Sequence, residues 1–472
     1  MVSIMEINSI YEGDNLEILS KFPSKSIDLI YADPPFFTNK TYEVIWGDKA
    51  ETRSFKDRWE GGIEHYTGWM EPRLRECWRV LKDNGSMYLH CDPHANAHLR
   101  ILMDKIFGGE NFKNEIVWKR THAHGGGTTG FSSIHDIVLF YTKSNKFTFN
   151  RQFTSYTQSY INDFFRYTEP NGRRYRLVIA TGSGETKTDY LWKGKSPTKG
   201  RHWAYTKEKM QELEKEGRLV YSKNGNVNIK QYIDDKEGTL ITDIWDDIEV
   251  IHSQSKERLG YPTQKPVALL ERMINASSNK NDIVLDPFCG CGTALVASQK
   301  LGRKWIGIDI SPTACKLMAK RLKDEFHIKT QIIRGEVNIA YVKKLEPFEF
   351  QNWVVADKFL GVLSPRKSGD MGIDGFTAQI MGGFPIQVKQ SEDIGRNVID
   401  NFETAMRRFG KTKGYIVAFS FGKGAIEEVA RVKNQEGLEI ILRTVQDLLD
   451  GKAVILQDWL NSVRSLSDWM AA

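Results

Sequence analysis

The segment NDIVLDPFCGCGTALVASQKLGRKWIGIDIS, residues 281–311, constrains the fold more than any other stretch. A short apolar run, IVLD, meets a turn holding Gly290 and Gly292, which permits a tight reversal and close backbone approach. ALVASQKL follows with helical spacing, and Ala294, Ala297 and Ser298 are small enough to pack closely on a sheet. WIGID reads as the next strand, ending on Asp309. Strand, glycine turn, helix and strand predict an open α/β sheet of Rossmann-like type, whose ligands lie at the carboxyl ends of the strands. Asp309 then stands where an acid accepts hydrogen bonds from ribose hydroxyls. A pyrophosphate site wants a third glycine where Leu295 stands. The unit therefore suits a nucleoside cofactor without a pyrophosphate, and S-adenosylmethionine is the candidate. Cys289 and Cys291 flank Gly290 too tightly for a tetrahedral zinc pair and read as small lining residues.

A second stretch, IDLIYADPPFFTNKTYEVIW at residues 27–46, runs an apolar strand into an aspartate, two prolines and two phenylalanines. Proline fixes φ and donates no hydrogen bond, so the turn after Ala32 is stiff. It holds the Asp33 carboxylate beside the Phe36 ring at a strand's carboxyl end, the edge where such sheets bind ligands.

At 472 residues the chain exceeds one ordinary core, so two domains or a large insertion are expected. No apolar run approaches membrane-spanning length, and the five cysteines show no disulfide-style spacing, which points to a reducing cytoplasm. The net charge of +6 is unevenly placed: residues 1–346 carry 51 Lys+Arg against 44 Asp+Glu, and residues 347–472 carry 15 against 16. That surplus permits a polyanionic partner.

DPPF at residues 33–36 and DPFCGCGT at 286–293 together resemble the catalytic motif and the cofactor loop of DNA amino-methyltransferases. The catalytic motif comes first, as in the permuted beta group acting on adenine N6 or cytosine N4. YEGDNLEIL, GSMYLHCD, EIVWKR, HDIVLFYTK and GYPTQKPVALLERMI agree, and the likeness covers most of residues 5–325. The resemblance implies a target amine held by Asp33 and the Pro34 carbonyl of the stiff Pro34–Pro35 turn, with Phe36 stacking on a base flipped out of double-stranded DNA. It also implies that Asp309 holds the ribose and that Asp14 accepts the adenine amino group of S-adenosylmethionine. Asp286 belongs to the cofactor loop. Phe288, Gly290, Gly292 and Thr293 would shape the methionine end, with Lys265 of TQKP near its carboxylate. His135 of HDIVLFYTK receives no role. Adenine is favoured because DPP with an aromatic is commoner among N6-adenine members.

Between residues 144 and 249 the strand-helix pattern dissolves into mixed aromatic, basic and glycine residues, where this family carries its target-recognition region. Arg173, Arg174, Arg176 and Arg201 would meet phosphates or guanine edges there, or be ordinary solvated side chains. HGGGTTG, residues 124–130, reads as a loop near the DNA.

The methyltransferase domain is expected over residues 1–330, with a linker over 331–346. Residues 347–472 change character: a helical PFEFQNWVVADKFLG precedes the strand-like MGIDGFTAQI and FPIQVKQS. Asp374 falls in the first run, and Gln387 and Lys389 share one face of the second. This tail resembles a smaller α/β Mrr-type restriction endonuclease domain with D…QxK in place of D…(D/E)xK. The resemblance implies Mg²⁺ on Asp374, Lys389 assisting the attacking water, and Glu349 as the helical acid. A DNA-binding tail without cleavage, and methylation of RNA rather than DNA, are the alternatives. The sequence leaves the recognition sequence and the oligomeric state, including a homodimer, open.

Overall fold

The computed structural model describes the chain apart from residues 1–4, 38–40, 47–50, 57–60, 122–130, 185–187, 224, 236, 253, 262, 336, 365–371, 380–381 and 453–472. The loop at 124–130 therefore lies outside the described residues. Two compact units emerge: residues 1–150 with 243–472, and residues 151–242.

The first unit is built on a nine-stranded sheet. Its order is Ile244–Trp245, Phe112–Lys119, His135–Thr142, Leu81–Cys91, Ile27–Ala32, Ile283–Asp286, Lys304–Asp309, Ser9–Glu12 and Gln331–Arg334. Every strand runs parallel to its neighbours except His135–Thr142, which is antiparallel to both of its own. Strands buried on both faces read as near-continuous apolar runs, as IDLIYA, IVLD and KWIGID do, their charged residues being Asp28 and the strand ends Asp286, Lys304 and Asp309. The core they share contains Ile30, Leu285 and Ile306, each with no exposed surface. Ile27–Ala32 and Ile283–Asp286 are neighbours in the sheet although more than 250 residues apart in the chain, so Asp33 and the glycine turn leave the same edge side by side.

The expected linker is shorter than 331–346. Gln331–Arg334 adds to the sheet beside Ser9–Glu12. Val342 and Leu345 are buried with Phe350 and Trp353 in the core of the C-terminal portion. The apolar side chains at 332, 333, 342 and 345 explain this, since a free linker would leave them in water.

That C-terminal portion carries its own five-stranded sheet, ordered Val362–Leu363, Gly375–Phe376, Pro385–Val388, Lys413–Ala418 and Glu439–Thr444. The last three strands are parallel, and the first two pairings are antiparallel. Residues 151–242 form a separate small unit around a four-stranded antiparallel sheet, with Trp192, Trp203 and Met210 in its core.

Candidate active site

A cavity of about 360 Å³ opens at the carboxyl ends of the central strands, and both sequence motifs line it. Asp33, Pro34, Pro35 and Phe36 form one side; Asp286, Phe288, Gly290, Thr293 and Asp309 form the other. A volume of this order is that of a small-molecule site.

Asp309 ends its strand with both carboxylate oxygens gripped by backbone. Gly290 N–H donates to Oδ2 at 2.7 Å and Ser311 N–H to Oδ1 at 2.8 Å. Burial pushes Asp309 up to about 6 despite those two donors. Gly290 and Gly292 both take left-handed φ values, 51° and 78°. A Cβ on Gly292 would come within 2.7 Å of Met318, so this position admits no side chain where the turn presses on the helix Pro312–Phe326. Gly292 shapes the turn without lining the cavity, whereas a Cβ on Gly290 would approach the Tyr261 ring at the cavity wall. Asp286 accepts from the Phe288 N–H at 3.0 Å, and burial, with Asp33 and Asp309 nearby, raises its carboxyl well above the usual range. Cys289 and Cys291 are buried thiols of the lining, both pushed up by burial and so protonated at neutral pH.

Asp14 caps the helix Asn15–Leu19, its Oδ1 accepting from Leu16 N–H at 2.8 Å. Its other oxygen takes the Arg73 guanidinium at 2.7 Å. Arg73 also donates to Asn15 Oδ1 at 2.9 Å and lies 3.9 Å over the Trp69 ring, which itself stands 5.9 Å from the Phe288 ring. Arg73 and Trp69 line the cavity and went unnoticed in the sequence. Their four-residue spacing on the helix Gly62–Val80, which puts both on one face, was the available signal.

Lys265 lines the same cavity, and its carboxylate partner within the chain is Asp33. Its ammonium donates to Asp33 Oδ2 at 2.6 Å and sits 4.8 Å over the Phe36 ring. A lysine this buried needs a carboxylate, and Asp33 supplies it. Behind the DPPF turn, Tyr31 Oη and His90 Nδ1 are 2.9 Å apart, and His90 Nε2 lies 3.4 Å from Asp136. Burial works to raise Asp136, but the His90 contact together with the Lys265 and Arg120 charges outweighs it and holds the group below its usual range. The Phe36 ring rests 5.6 Å from His90. His135, given no role, stands next to Asp136 in the chain.

In the C-terminal portion, Gly375 pairs with Ile386, a register that sets Asp374 opposite Gln387. Val388 N–H donates to Asp374 Oδ2 at 2.7 Å. Lys389 is two positions beyond Gln387 on the same face. Gln387 is 3% exposed, and its Oε1 has no hydrogen-bond partner among the described residues. The side chain reaching Asp374 from the helix Pro347–Asn352 is Gln351, whose amide donates to Oδ1 at 3.0 Å. Glu349 of the same helix instead accepts hydroxyl hydrogens from Ser311 and, at 3.1 Å, from Thr313, and it lines the cavity of Asp309.

In the unit 151–242, each expected DNA-contacting arginine already has acceptors. Arg173 pairs with Asp234 and Asp235, Arg174 donates to the Phe165 carbonyl, Arg176 to Gln231, and Arg201 to Thr181.

A DNA methylase family profile matches residues 27–321, more than half of the chain, and a restriction endonuclease profile matches residues 342–451. The chain belongs to the N6/N4 DNA methylase family, with a restriction-endonuclease-type domain behind the methyltransferase. It is similar to the Type II methyltransferase M.EcaI of Enterobacter cloacae, 33% identical over 323 residues, covering 68% of this chain and 70% of that protein. It is also similar to the DNA adenine methyltransferase YhdJ of Escherichia coli (strain K12), 28% identical, covering 72% of this chain and 88% of that protein. Among solved structures, the cytosine-N4-specific PvuII DNA methyltransferase matches at 15% identity and TM-score 0.38, over 67% of this chain and 86% of that one. No described helix is long and apolar enough to cross a membrane.

Proposed function

We propose that this chain methylates the exocyclic amine of a base flipped out of double-stranded DNA, adenine N6, with S-adenosylmethionine as donor, in a restriction–modification role. The observation that carries this is the single cavity joining the Asp33 turn to the Asp309–Gly290 loop. The residues fit the donor. Asp309 offers a fixed acceptor for ribose hydroxyls, Phe288 and Trp69 offer apolar faces, and several carboxylates suit a cationic ligand. When bound, the donor supplies an electrophilic methyl group on a sulfonium.

The chain does the orienting. An exocyclic amine is a poor nucleophile because its lone pair is delocalised into the ring. Asp33 Oδ1 and the Pro34 carbonyl accept the two N–H bonds and draw the nitrogen towards tetrahedral geometry, an effect of position and fixed electrostatics. Lys265 holds the other Asp33 oxygen, so the carboxylate cannot swing away. Phe36, backed by His90, stacks on the base. The Arg73–Asp14 pair orients Asp14 for the donor's adenine. DPP with an aromatic, and similarity to an adenine methyltransferase, favour adenine over cytosine.

For the C-terminal domain we propose Mg²⁺-dependent cleavage of DNA. The buried Gln387 oxygen opposite Asp374, without a hydrogen-bond partner among the described residues, fits a hard cation, which takes oxygen ligands. Asp374 and Gln387 would hold the ion, and Lys389 would orient water. The test of the whole reading is modified-base sequencing of DNA from cells expressing the chain. N6-methyladenine at one short motif is expected; N4-methylcytosine would correct the base, and unmodified DNA would refute the reading.

A further inference from the structure

Glu349 lies in the part of the chain matched by the endonuclease profile, yet it lines the methyltransferase cavity and both its oxygens accept hydroxyl hydrogens from the turn that follows Asp309. The contacts are specific. Ser311 caps the helix Pro312–Phe326, its hydroxyl oxygen accepting from Ala314 N–H at 3.1 Å while its hydrogen goes to Glu349. Thr313, in the first turn of that helix, donates to the second Glu349 oxygen and accepts from Asn352 Nδ2 at 2.6 Å. Thr313 and Asn352 are both buried. Ser311 is also the residue whose N–H fixes Asp309. A carboxylate at a helix N-terminus is stabilised by the unpaired N–H groups there, which offsets the cost of setting it near a second acid. The segment leading into Glu349 shares this wall, since Leu345, Glu346 and Phe348 line the cavity as well. It is tied back to the C-terminal sheet by Gln390, whose amide donates to the Leu345 carbonyl at 2.6 Å.

We infer that Glu349 is a positioning residue of the methyl-donor site: the endonuclease-type domain completes the cofactor pocket by holding the Ser311–Thr313 turn against Asp309. This rests on the reading of the cavity as the S-adenosylmethionine site. The two carboxylate-to-hydroxyl bonds fix the loop whose N–H aligns the ribose acid, so their loss is felt in donor affinity rather than in the transfer step. Two residues further along the same helix, Gln351 holds Asp374, so one short helix serves both sites.

The test uses the full chain. Donor binding is measured by calorimetry, and methyl transfer to unmodified DNA at saturating donor, for the parent, Glu349→Ala, Glu349→Gln and Thr313→Val. Glu349→Ala should weaken donor binding by about 5- to 20-fold and raise the donor KM equally, with kcat within twofold of the parent. Glu349→Gln keeps one acceptor and should recover most of the loss. Thr313→Val should weaken binding less, and its effect should not add to that of Glu349→Ala. If Glu349→Ala does not fold, Thr313→Val decides, because it preserves size and removes one of the two bonds to Glu349. Donor affinity within twofold of the parent in folded Glu349→Ala, or in Thr313→Val where Glu349→Ala does not fold, overturns the inference. A fall in kcat with donor KM unchanged also overturns it. A parent that binds no donor overturns instead the reading of the cavity.

Discussion

Lys265→Met isolates what the ammonium does for Asp33, because methionine keeps much of the length and removes only the charge. The pair is largely shielded: the side chains are 9% and 16% exposed, with Nζ and Oδ2 2.6 Å apart. Removing one partner leaves the Asp33 carboxylate alone in a cavity that also holds Asp286 and Asp309. A hydrogen bond to a charged group contributes roughly 1.5–3 kcal/mol. Some of that returns as water enters from the open side of the cavity. If the whole effect falls on the orientation of Asp33, the rate drops about 10- to 150-fold, at tenfold per 1.36 kcal/mol. The assay is single-turnover transfer of a labelled methyl group to unmodified DNA at saturating donor, with donor binding measured in parallel. The rate should fall while donor affinity stays within threefold, since Lys265 contacts Asp33 and not Asp309 or Asp14. Lys265→Arg should lie between, because the charge survives but the planar fork cannot reproduce a single short contact in the same space. A rate in Lys265→Met within threefold of the parent would refute the reasoning. So would a loss confined to donor binding, which would return Lys265 to the donor's carboxylate.

Asp33→Ala should abolish methyl transfer and leave donor binding largely intact by calorimetry; transfer near the parent rate would remove Asp33 from its role. Donor affinity should fall as pH drops through about 6, by up to tenfold per unit: Asp309 ionises only above that value when folded, and ribose hydroxyls bond best to the ionised form. The folded value lies above the free one of 3.8, so ionised Asp309 costs stability as pH rises from about 4 to 6. Asp309→Asn should lose both dependences, read by calorimetry and thermal melts across pH. Plasmid in one methylation state should be cut with Mg²⁺ and no methyl donor, and Asp374→Ala/Lys389→Ala should abolish cutting. Retained cutting in that variant would place the chemistry elsewhere, and no cutting by the parent with DNA binding kept would make the tail a binding module.

The residues legible in the sequence were those whose local chain conformation announces them. DPPF and the glycine turn are stiff or tight in ways that any strand-to-loop transition would reveal, and Asp309 follows from the strand before it. What escaped were residues whose roles depend on partners distant in the chain. Arg73 is one of three arginines on the helix Gly62–Val80 until the fold sets it beside Asp14, 59 positions away. Lys265 read as a residue for the donor, because nothing local shows that burial would press it onto Asp33, 232 positions away. The helix Pro347–Asn352 makes the same point within six residues. Glu349 was the natural choice for a metal-supporting acid because it is the acid, and a carboxylate is what such a site usually wants. Gln351 is neutral and drew no notice. Two residues apart, the side chains point about 200° apart around a helix, so only one of them can face the C-terminal sheet. The one that does is Gln351, and that same geometry sends Glu349 towards Ser311 and Thr313. With Gln351 on the helix and Gln387 on the strand, the Asp374 site has two amides where metal-dependent nucleases usually carry acids. Asp374 therefore has to supply the negative charge for any cation there. On that ground Asp374→Asn, which alters charge but hardly size, should weaken Mg²⁺ binding as severely as Asp374→Ala, whereas Gln387→Glu should tighten it.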